Sequence, residues 1–279
     1  MTELTIKKTH VGIELVRLLA AEGYRIFSVE IARKFSARAG IKDEYLLEAL
    51  FHLRRNGWID SIHRGLYAIT PAVPGLATAH EFEIAMALVS PAAISHWSAL
   101  HYHGLTEQAP RRVFVLTTTD VSIPRVRNDE KEITDSGYTV GDTLYQFIRV
   151  KQDRFFGTQN IWVGDARVTI TDPERTLLDG LAMPKRCGDF AEVLHSFEVR
   201  GNDLHIERIV GYALRMDTVV AKRLGWVLES LDLGNESPAL MEVLSKIPIK
   251  GYGTLDPDGP RNGPRNRRWM IQENLPGKV

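Results

Sequence analysis

The stretch from residue 24 to residue 70 constrains the fold of this chain more than any other part of the sequence. It contains a short amphipathic helix, a glycine turn at Gly40, a second helix ending in Arg54 and Arg55, and two alternating segments around Gly65. Two helices joined by such a turn form a helix-turn-helix, and a tight two-stranded ribbon beyond them forms a wing. We therefore predict a winged helix-turn-helix over this stretch.

The second helix of this unit is predicted to have two faces of different chemistry. It begins near Lys42 or Asp43 and ends at Asn56, with Gly57 as the residue that stops it. Helical spacing gathers one apolar face, made of Leu46, Leu47, Leu50 and Leu53 with Ala49 and Phe51 at its margins. The opposite face is polar, with spacings of three, four and three residues between Tyr45, Glu48, His52 and Arg55. We expect the polar face to point outward, with Lys42 before the first turn, where a recognition helix meets the bases.

The first helix and the wing complete the predicted DNA-binding surface. Ser28 is the expected N-cap of the first helix, whose inner face is apolar. Gly65 fits a tight hairpin bend, so His63 and Arg64 would lie at the wing tip, close to phosphates. The predicted DNA-binding residues are Ser28, Lys42, Tyr45, Glu48, His52, Arg54, Arg55, His63 and Arg64. Two alternatives stay open: that individual arginines serve only as solvated surface charges, and that the winged helix docks a protein partner.

Length and composition indicate a soluble protein of two domains, with three as an alternative. The chain has 279 residues, of which 44% are hydrophobic and 25% charged, as is ordinary for globular proteins. Pro71, Pro74 and Gly75 interrupt the pattern after the wing, so we place a domain boundary near Gly75 and divide the chain into residues 1–75 and 76–279. The single cysteine, Cys187, cannot form an internal disulfide, which favours a reducing cytoplasm. No secretion leader and no apolar run of the ~20 residues that a membrane helix needs are present, so no membrane contact is expected.

Charge is distributed unevenly although the formal net charge is zero. Residues 1–73 contain 11 Lys plus Arg against 8 Asp plus Glu, and residues 246–279 contain 7 against 3. The stretch between them contains 17 against 24 and is therefore acidic. We expect phosphate contacts to come from the first stretch, with the tail as a further source.

The second domain is predicted to be α+β, a sheet region followed by a helical run. A helix near His80 and another holding ISHWSALHYHG precede the strand-like segments RVFVLTTT, LYQFIRV, NIWVG and ARVTIT, with a polar loop between the first two strands. Asp172, Pro173 and Glu174 form a strong helix start, and further helices follow. The basic tail, residues 251–279, is expected to be extended and held by Trp269 and Ile271. Its arginines would either contact phosphate or lie solvated on the acidic domain.

No residue set in the sequence calls for an enzyme. His96, His101 and His103 have spacings that do not line one helix face, so packing or capping is favoured over a metal site. A nuclease hypothesis, with Asp120, Asp129 and Glu130 holding Mg²⁺ and Lys131 poising water, is weak because these residues fall in a loop-like stretch. Asp172, Glu174 and Asp179 are interpreted as helix-start and surface charges. No nucleotide-binding motif occurs, and we predict no catalytic residue, metal or cofactor.

The chain resembles the AbiEi-type antitoxins of bacterial type IV toxin–antitoxin systems. The segments RGLYAIT, ISHWSALHYHGLTEQAP, TDPERTLLDGLA and NRRWMIQEN carry the resemblance in order, from about Phe27 to Asn274, and residues 95–106 and 172–179 are its more specific motifs. The resemblance implies a winged helix that represses its own operon by binding promoter repeats in double-stranded DNA. It also implies a C-terminal domain that counters a nucleotidyltransferase-like toxin, with direct contact left open. The family's DNA-contacting cations carry over only to the helix and wing positions named above.

Overall fold

The computed structural model describes residues 3–63, 65–71, 78–120, 137–233 and 251–275, with isolated helical positions at 238, 241 and 245. The N-terminal unit contains three helices and three strands, which are α1 (Glu3–Ala21), β1 (Ile26–Ser28), α2 (Val29–Ser36), α3 (Leu46–Arg55), β2 (Ile59–His63) and β3 (Leu66–Ile69). The strands form an antiparallel sheet in the order β1-β3-β2. This order of helices and strands confirms the predicted winged helix-turn-helix.

Two glycines with positive φ form the turns at the end of α3 and at the tip of the wing. Gly57 has φ 71°, a left-handed conformation that favours glycine, and it follows Asn56, the C-cap of α3, as predicted. Gly65 has φ 79° between β2 and β3, and its carbonyl accepts a hydrogen bond of 3.0 Å from the backbone N–H of Val29. The bend of the wing is thereby fixed to the start of α2. The predicted recognition helix begins with a 3₁₀ turn, Asp43–Tyr45, and becomes α-helical only at Leu46.

A six-stranded mixed sheet forms the first part of the C-terminal domain. Its strands are β4 (Ala92–Ile94), β5 (Arg112–Thr117), β6 (Gly137–Val140), β7 (Thr143–Arg149), β8 (Thr158–Val163) and β9 (Ala166–Thr171). They follow the order β6-β7-β5-β4-β9-β8, in which β5 is parallel to β7 and β4 is parallel to β9. The sequence prediction missed β4, which is only three residues long, and β6, which it placed in a loop between residues 121 and 141. Both strands were missed because a short strand is stabilised by pairing and packing with neighbouring strands and carries little sequence pattern of its own.

Helices cover the sheet and then form a separate helical layer, which confirms the predicted α+β fold. They are α4 (Glu81–Leu88), α5 (His96–Tyr102), α6 (Pro173–Ala182), α7 (Phe190–Arg200), α8 (Ile206–Met216) and α9 (Thr218–Ser230). The helical core is built mainly by α6 to α9. No helix in the described ranges has the length and apolar character needed to cross a membrane.

The C-terminal tail packs on this helical core. Three short strands, β10 (Gly253–Thr254), β11 (Arg265–Asn266) and β12 (Ile271–Gln272), form a small sheet. Trp269 and Ile271 are both fully buried, so the predicted anchoring of the tail is confirmed. Arg268 lies 3.0 Å from the carboxylate of Glu229, which supports the interpretation of the tail as a segment wrapped on the acidic domain.

The winged unit is attached to the C-terminal sheet through its own sheet. Ile59 of β2 belongs to the N-terminal core, whereas Ile62 on the same strand packs in a cluster with Phe82 of α4 and strands of the large sheet. Arg25 lies 3.1 Å from Glu83, and the hydroxyl of Tyr138 donates a hydrogen bond to the carbonyl of Ile62. The predicted boundary at Gly75 lies outside the described residues.

Candidate nucleic-acid interface

The outward face of α3 is a mixed polar and apolar surface. Leu46, Leu50 and Leu53 are buried, as predicted. Leu47 and Phe51, which were assigned to the inner face and its margin, are instead 61% and 53% exposed. Successive residues of a helix are rotated by about 100° around its axis. When Leu46, Leu50 and Leu53 face the core, Leu47 is therefore rotated away from it. The sequence interpretation was therefore wrong for these two side chains.

The predicted polar side chains of α3 lie on the accessible side of the helix. Tyr45 is 52% exposed, and Arg54 and Arg55 are exposed in the last turn. Glu48 is exposed and His52 is half-buried, with 3.6 Å between the His52 Nε2 and a Glu48 carboxylate oxygen. The carboxylate of Glu48 lies beside His52, so this part of the face adds little net positive charge.

The remaining predicted contact residues have different environments. Lys42 is exposed immediately before the 3₁₀ turn, and His63 is exposed at the end of β2. Ser28 is half-buried and caps α2, its Oγ accepting a 3.3 Å hydrogen bond from the N–H of Ile31, which confirms the predicted cap. That role leaves Ser28 a weaker candidate for DNA contact. Arg64 lies outside the described residues.

Ion pairing distinguishes the cations of the winged unit. Arg33 lies 2.6 Å from Asp43, and Arg38 lies 3.4 Å from Glu22, so each has an acidic partner. Within the part of the chain that the structure describes, no acidic group lies within ion-pair distance of Lys42, Arg54 or Arg55; the acidic partners found are those of Arg25, Arg33, Arg38 and His52. These three cations are therefore available to an external phosphate or base.

The C-terminal domain leaves this face open. Its apolar contacts with the winged unit run through Ile62 and Ala68 of the β-sheet, together with their neighbours. The core of the winged unit lies between that sheet and α3, through Leu46, Leu50 and Ile59. Among the described residues, none of the larger domain would have to be displaced by a ligand that approaches the exposed side of α3.

A buried polar cluster at the start of α6 was missed from the sequence. Asp172 caps α6, accepting a 2.8 Å hydrogen bond from the N–H of Arg175, and the hydroxyl of Tyr212 donates to its second oxygen at 2.9 Å. The fully buried Glu174 lies 3.4 Å from Arg200 and 3.3 Å from Arg208. Burial raises the pKa of Asp172 above its usual value, against the opposing effect of these hydrogen bonds.

Arg175 and Asp179 form the centre of the same cluster. The Nε of Arg175 donates to Asp179 at 2.9 Å, and its Nη1 donates to the carbonyls of Arg154 and Phe156, both at 2.8 Å. The helix-start positions predicted for Asp172 and Glu174 are confirmed. The accompanying expectation of surface charges was wrong for Glu174 and Asp179, because α7 to α9 pack over α6 and bury both. The spacing of four residues between Arg175 and Asp179 is the sequence signal that could have revealed the pair.

The three histidines near α5 have separate roles. The Nε2 of His103 lies 2.7 Å from the carbonyl of Thr171, which only accepts, so this nitrogen is the donor. His96 is buried with its Nδ1 2.9 Å from the Ser95 hydroxyl, and His101 is exposed. These contacts support the packing and capping roles predicted for His96 and His103.

His96 makes the stability of the fold sensitive to acid. Burial lowers its pKa from 6.5 to about 4, although Asp179 opposes the shift. The unfolded chain therefore binds a proton that the folded chain does not, between pH 6.5 and 4. The stability that this group contributes is complete above pH 6.5 and falls as the pH approaches 4, by about 3 kcal/mol in total.

We expect the difference in unfolding free energy between wild type and His96→Asn to shrink by that amount between pH 6.5 and pH 4, measured by urea titration at each pH. A constant difference would contradict the assignment.

The residues of the nuclease hypothesis are only partly described. Asp120 is exposed and forms an ion pair with Arg149. Asp129, Glu130 and Lys131 lie outside the described residues. Among the residues that are described, no group of three or more His, Cys, Asp or Glu side chains is arranged to hold a metal ion.

Comparison with known proteins extends the fold assignment. No protein-family model matches the chain, and no curated protein matches its sequence. Among solved structures, the crystal structure of the RV2827C protein from Mycobacterium tuberculosis is similar, with a TM-score of 0.64 and 16% sequence identity. The match covers 92% of this chain and 89% of that one. The two proteins share a fold. At this identity the likeness concerns the fold alone.

Proposed function

We propose that this protein is a DNA-binding transcriptional regulator that contacts a major groove through α3 and phosphates through the wing. The observation that supports this most directly is the exposure of Tyr45 just before α3 and of Arg54 and Arg55 in its last turn. An exposed helix with two arginines in its last turn and a lysine before its first has the charge that a groove-binding helix requires.

The salt dependence of binding follows from the small size of this surface. Neutralising Z phosphates gives a log–log salt slope of about −0.9Z, and one winged module neutralises roughly 3 to 5. Two modules on adjacent promoter repeats would roughly double the slope. The acidic C-terminal domain is expected to add no phosphate contacts of its own.

The double variant Arg54→Ala/Arg55→Ala tests the interface. Each arginine contributes about 1 to 3 kcal/mol when it contacts a base, so we expect binding to the upstream DNA to weaken about tenfold or more. The salt slope should also become shallower by about 0.9 for each phosphate that the variant no longer neutralises. Fluorescence anisotropy across a salt series measures both quantities.

Arg17→Ala is the matched control for this experiment. Arg17 is exposed on α1, whose Leu15 and Leu19 pack into the core shared with α3. The control should bind DNA like the wild type. Equal affinity and slope for wild type and the double variant would show that α3 is not the reading element.

A second function is favoured by the exposed apolar side chains of α3. Leu47 and Phe51 are both more than half exposed on the helix proposed to enter the groove, and protein-docking surfaces commonly have such anchors. A docking role predicts that the purified protein fails to shift its own upstream DNA at low salt. It also predicts that Phe51→Ser abolishes partner binding, whereas Arg54→Ala/Arg55→Ala leaves it intact.

We further propose that the C-terminal domain acts as an antitoxin against a nucleotidyltransferase-like toxin. The support is the resemblance of residues 95–106 and 172–179 to AbiEi-type antitoxins. Co-expression with a neighbouring nucleotidyltransferase-like gene tests it, with growth as the measurement. The full-length Arg54→Ala/Arg55→Ala variant should still rescue growth. This variant is preferable to residues 76–279 alone, because removing β2 and β3 would expose the apolar residues that pack against Ile62 and Ala68.

A further inference from the structure

A large cavity in the C-terminal domain lies apart from α3. It has a volume of about 730 Å³ and is bounded by α5, the first half of β5, the middle of β7, the end of α6 with the turn after it, and the tail. This volume falls within the roughly 300 to 1,000 Å³ typical of small-molecule sites. The side chains that matter for its chemistry are Trp97, Arg111, Arg112, Gln146, Lys185 and Arg186.

The wall of this cavity is strongly cationic in an otherwise acidic domain. Three arginines and Lys185 line it, and the lining includes one carboxylate, that of Asp258. Asp258 comes from the tail and lies 3.2 Å from the Nζ of Lys185 at the rim. The cavity therefore has a net positive charge, and an incoming anion would compete with Asp258 for Lys185.

Two buried donors in the wall need an acceptor. The Oε1 of Gln146 accepts a 3.1 Å hydrogen bond from Arg112, so its amide nitrogen is left as a donor, and the side chain is only 2% exposed. Within the described ranges, neither that nitrogen nor the buried Nε1 of Trp97 has a hydrogen-bond partner. A buried donor without an acceptor is destabilising, and an acceptor atom of a ligand would relieve this cost.

We propose that this cavity binds a nucleoside phosphate. Cations and amide donors together favour an anion with several hydrogen-bond acceptors, and arginine forms bidentate hydrogen bonds with phosphate. Trp97 in the same wall is half-buried and supplies aromatic surface for a planar base. The site is independent of the DNA-binding proposal, because it shares no residue with α3 or the wing.

Calorimetric titration of the full-length protein with ATP, AMP, inorganic phosphate and a 5′-phosphorylated tetranucleotide tests the proposal. Binding of ATP or AMP more tightly than inorganic phosphate is the expected result. No binding of any probe at millimolar concentration would overturn it. Phosphate binding as tightly as the nucleotides, or binding of the tetranucleotide alone, would also overturn it, in favour of a simple anion site or a nucleic-acid end.

Variants locate the binding. Arg111→Gln and Gln146→Leu should each weaken nucleotide binding by on the order of tenfold, because a hydrogen bond to a charged ligand is worth roughly 1.5 to 3 kcal/mol. Arg167→Gln, an exposed position on β9 outside the cavity, removes the same charge and should bind like the wild type. Arg111 is itself exposed, so its variant stays informative if Gln146→Leu does not fold. Unchanged affinity in Arg111→Gln, or an equal reduction in Arg167→Gln, would refute the location.

Discussion

Replacing Arg175 with methionine is expected to lower the free energy of unfolding by about 3 to 5 kcal/mol, because it leaves a buried carboxylate without its partner. Arg175 is 1% exposed and Asp179 is 3% exposed. The guanidinium also donates to two backbone carbonyls, of Arg154 and Phe156, and stacks 4.6 Å above the Phe156 ring. The variant therefore leaves several buried acceptors without a hydrogen-bond donor.

A double variant separates the effect of charge burial from that of side-chain packing. In Arg175→Met/Asp179→Leu both charges are absent, and apolar replacements of buried ion pairs are often close to neutral. We expect the double variant to recover a substantial part of the stability, as measured by urea-induced unfolding. Arg167→Met, at an exposed position, should change stability by no more than about 0.5 kcal/mol. If the single variant were as stable as this control, the cluster at α6 would not be a stabilising centre.

Truncating Trp269 to alanine is expected to destabilise the fold by about 3 to 5 kcal/mol. The side chain is fully buried in the helical core, and its Nε1 donates to Glu229. A Cβ placed on Gly225 of α9 would lie only 1.9 Å from the indole ring, so the ring and the helix backbone are in close contact. The alanine variant would leave a cavity that this backbone cannot fill.

Trp162→Ala is the matched control for that change. Trp162 lies on β8 and is 69% exposed, so its removal should alter the unfolding free energy by well under 1 kcal/mol. Thermal and urea unfolding of both variants provide the comparison. A small effect of Trp269→Ala would mean that the tail is peripheral to the fold.

The two proposed sites use charge in opposite settings. On α3, exposed Arg54 and Arg55 would act in water, where their contribution is screened and strongly dependent on salt. In the C-terminal cavity, the donors of Gln146 and Trp97 are buried, where hydrogen bonds are less screened. Binding at the cavity should therefore depend less on ionic strength than binding of DNA.

Much of the fold could be predicted because its signals are local. The alternation of apolar residues located β5, β7, β8 and β9, and the Asp-Pro-Glu start located α6. Glycines at positions 57 and 65 marked a helix end and a hairpin because few other residues adopt a positive φ. The outward positions of Tyr45, Glu48 and Arg55 followed from helical spacing.

The errors occurred where distant segments decide the outcome. Helical spacing assigned Leu47 to the apolar face and Phe51 to its margin, but α1 and the sheet cover only Leu46, Leu50 and Leu53. Glu174 was placed correctly at the start of α6, but its burial was missed because α7 and α8 bring Arg200 and Arg208 to it. Burial of a charge depends on its partner, and the partner is far away in the sequence.

The sequence by itself determined the order of helices and strands, the winged unit and the helix that carries its arginines, because periodicity, caps and turns act within a few residues. Only the tertiary structure decided which face of that unit the C-terminal domain covers, and which cations and amides meet around the cavity. Gln146 and Lys185 are brought to one wall by strand pairing and helix packing, and such long-range contacts leave no local pattern to detect.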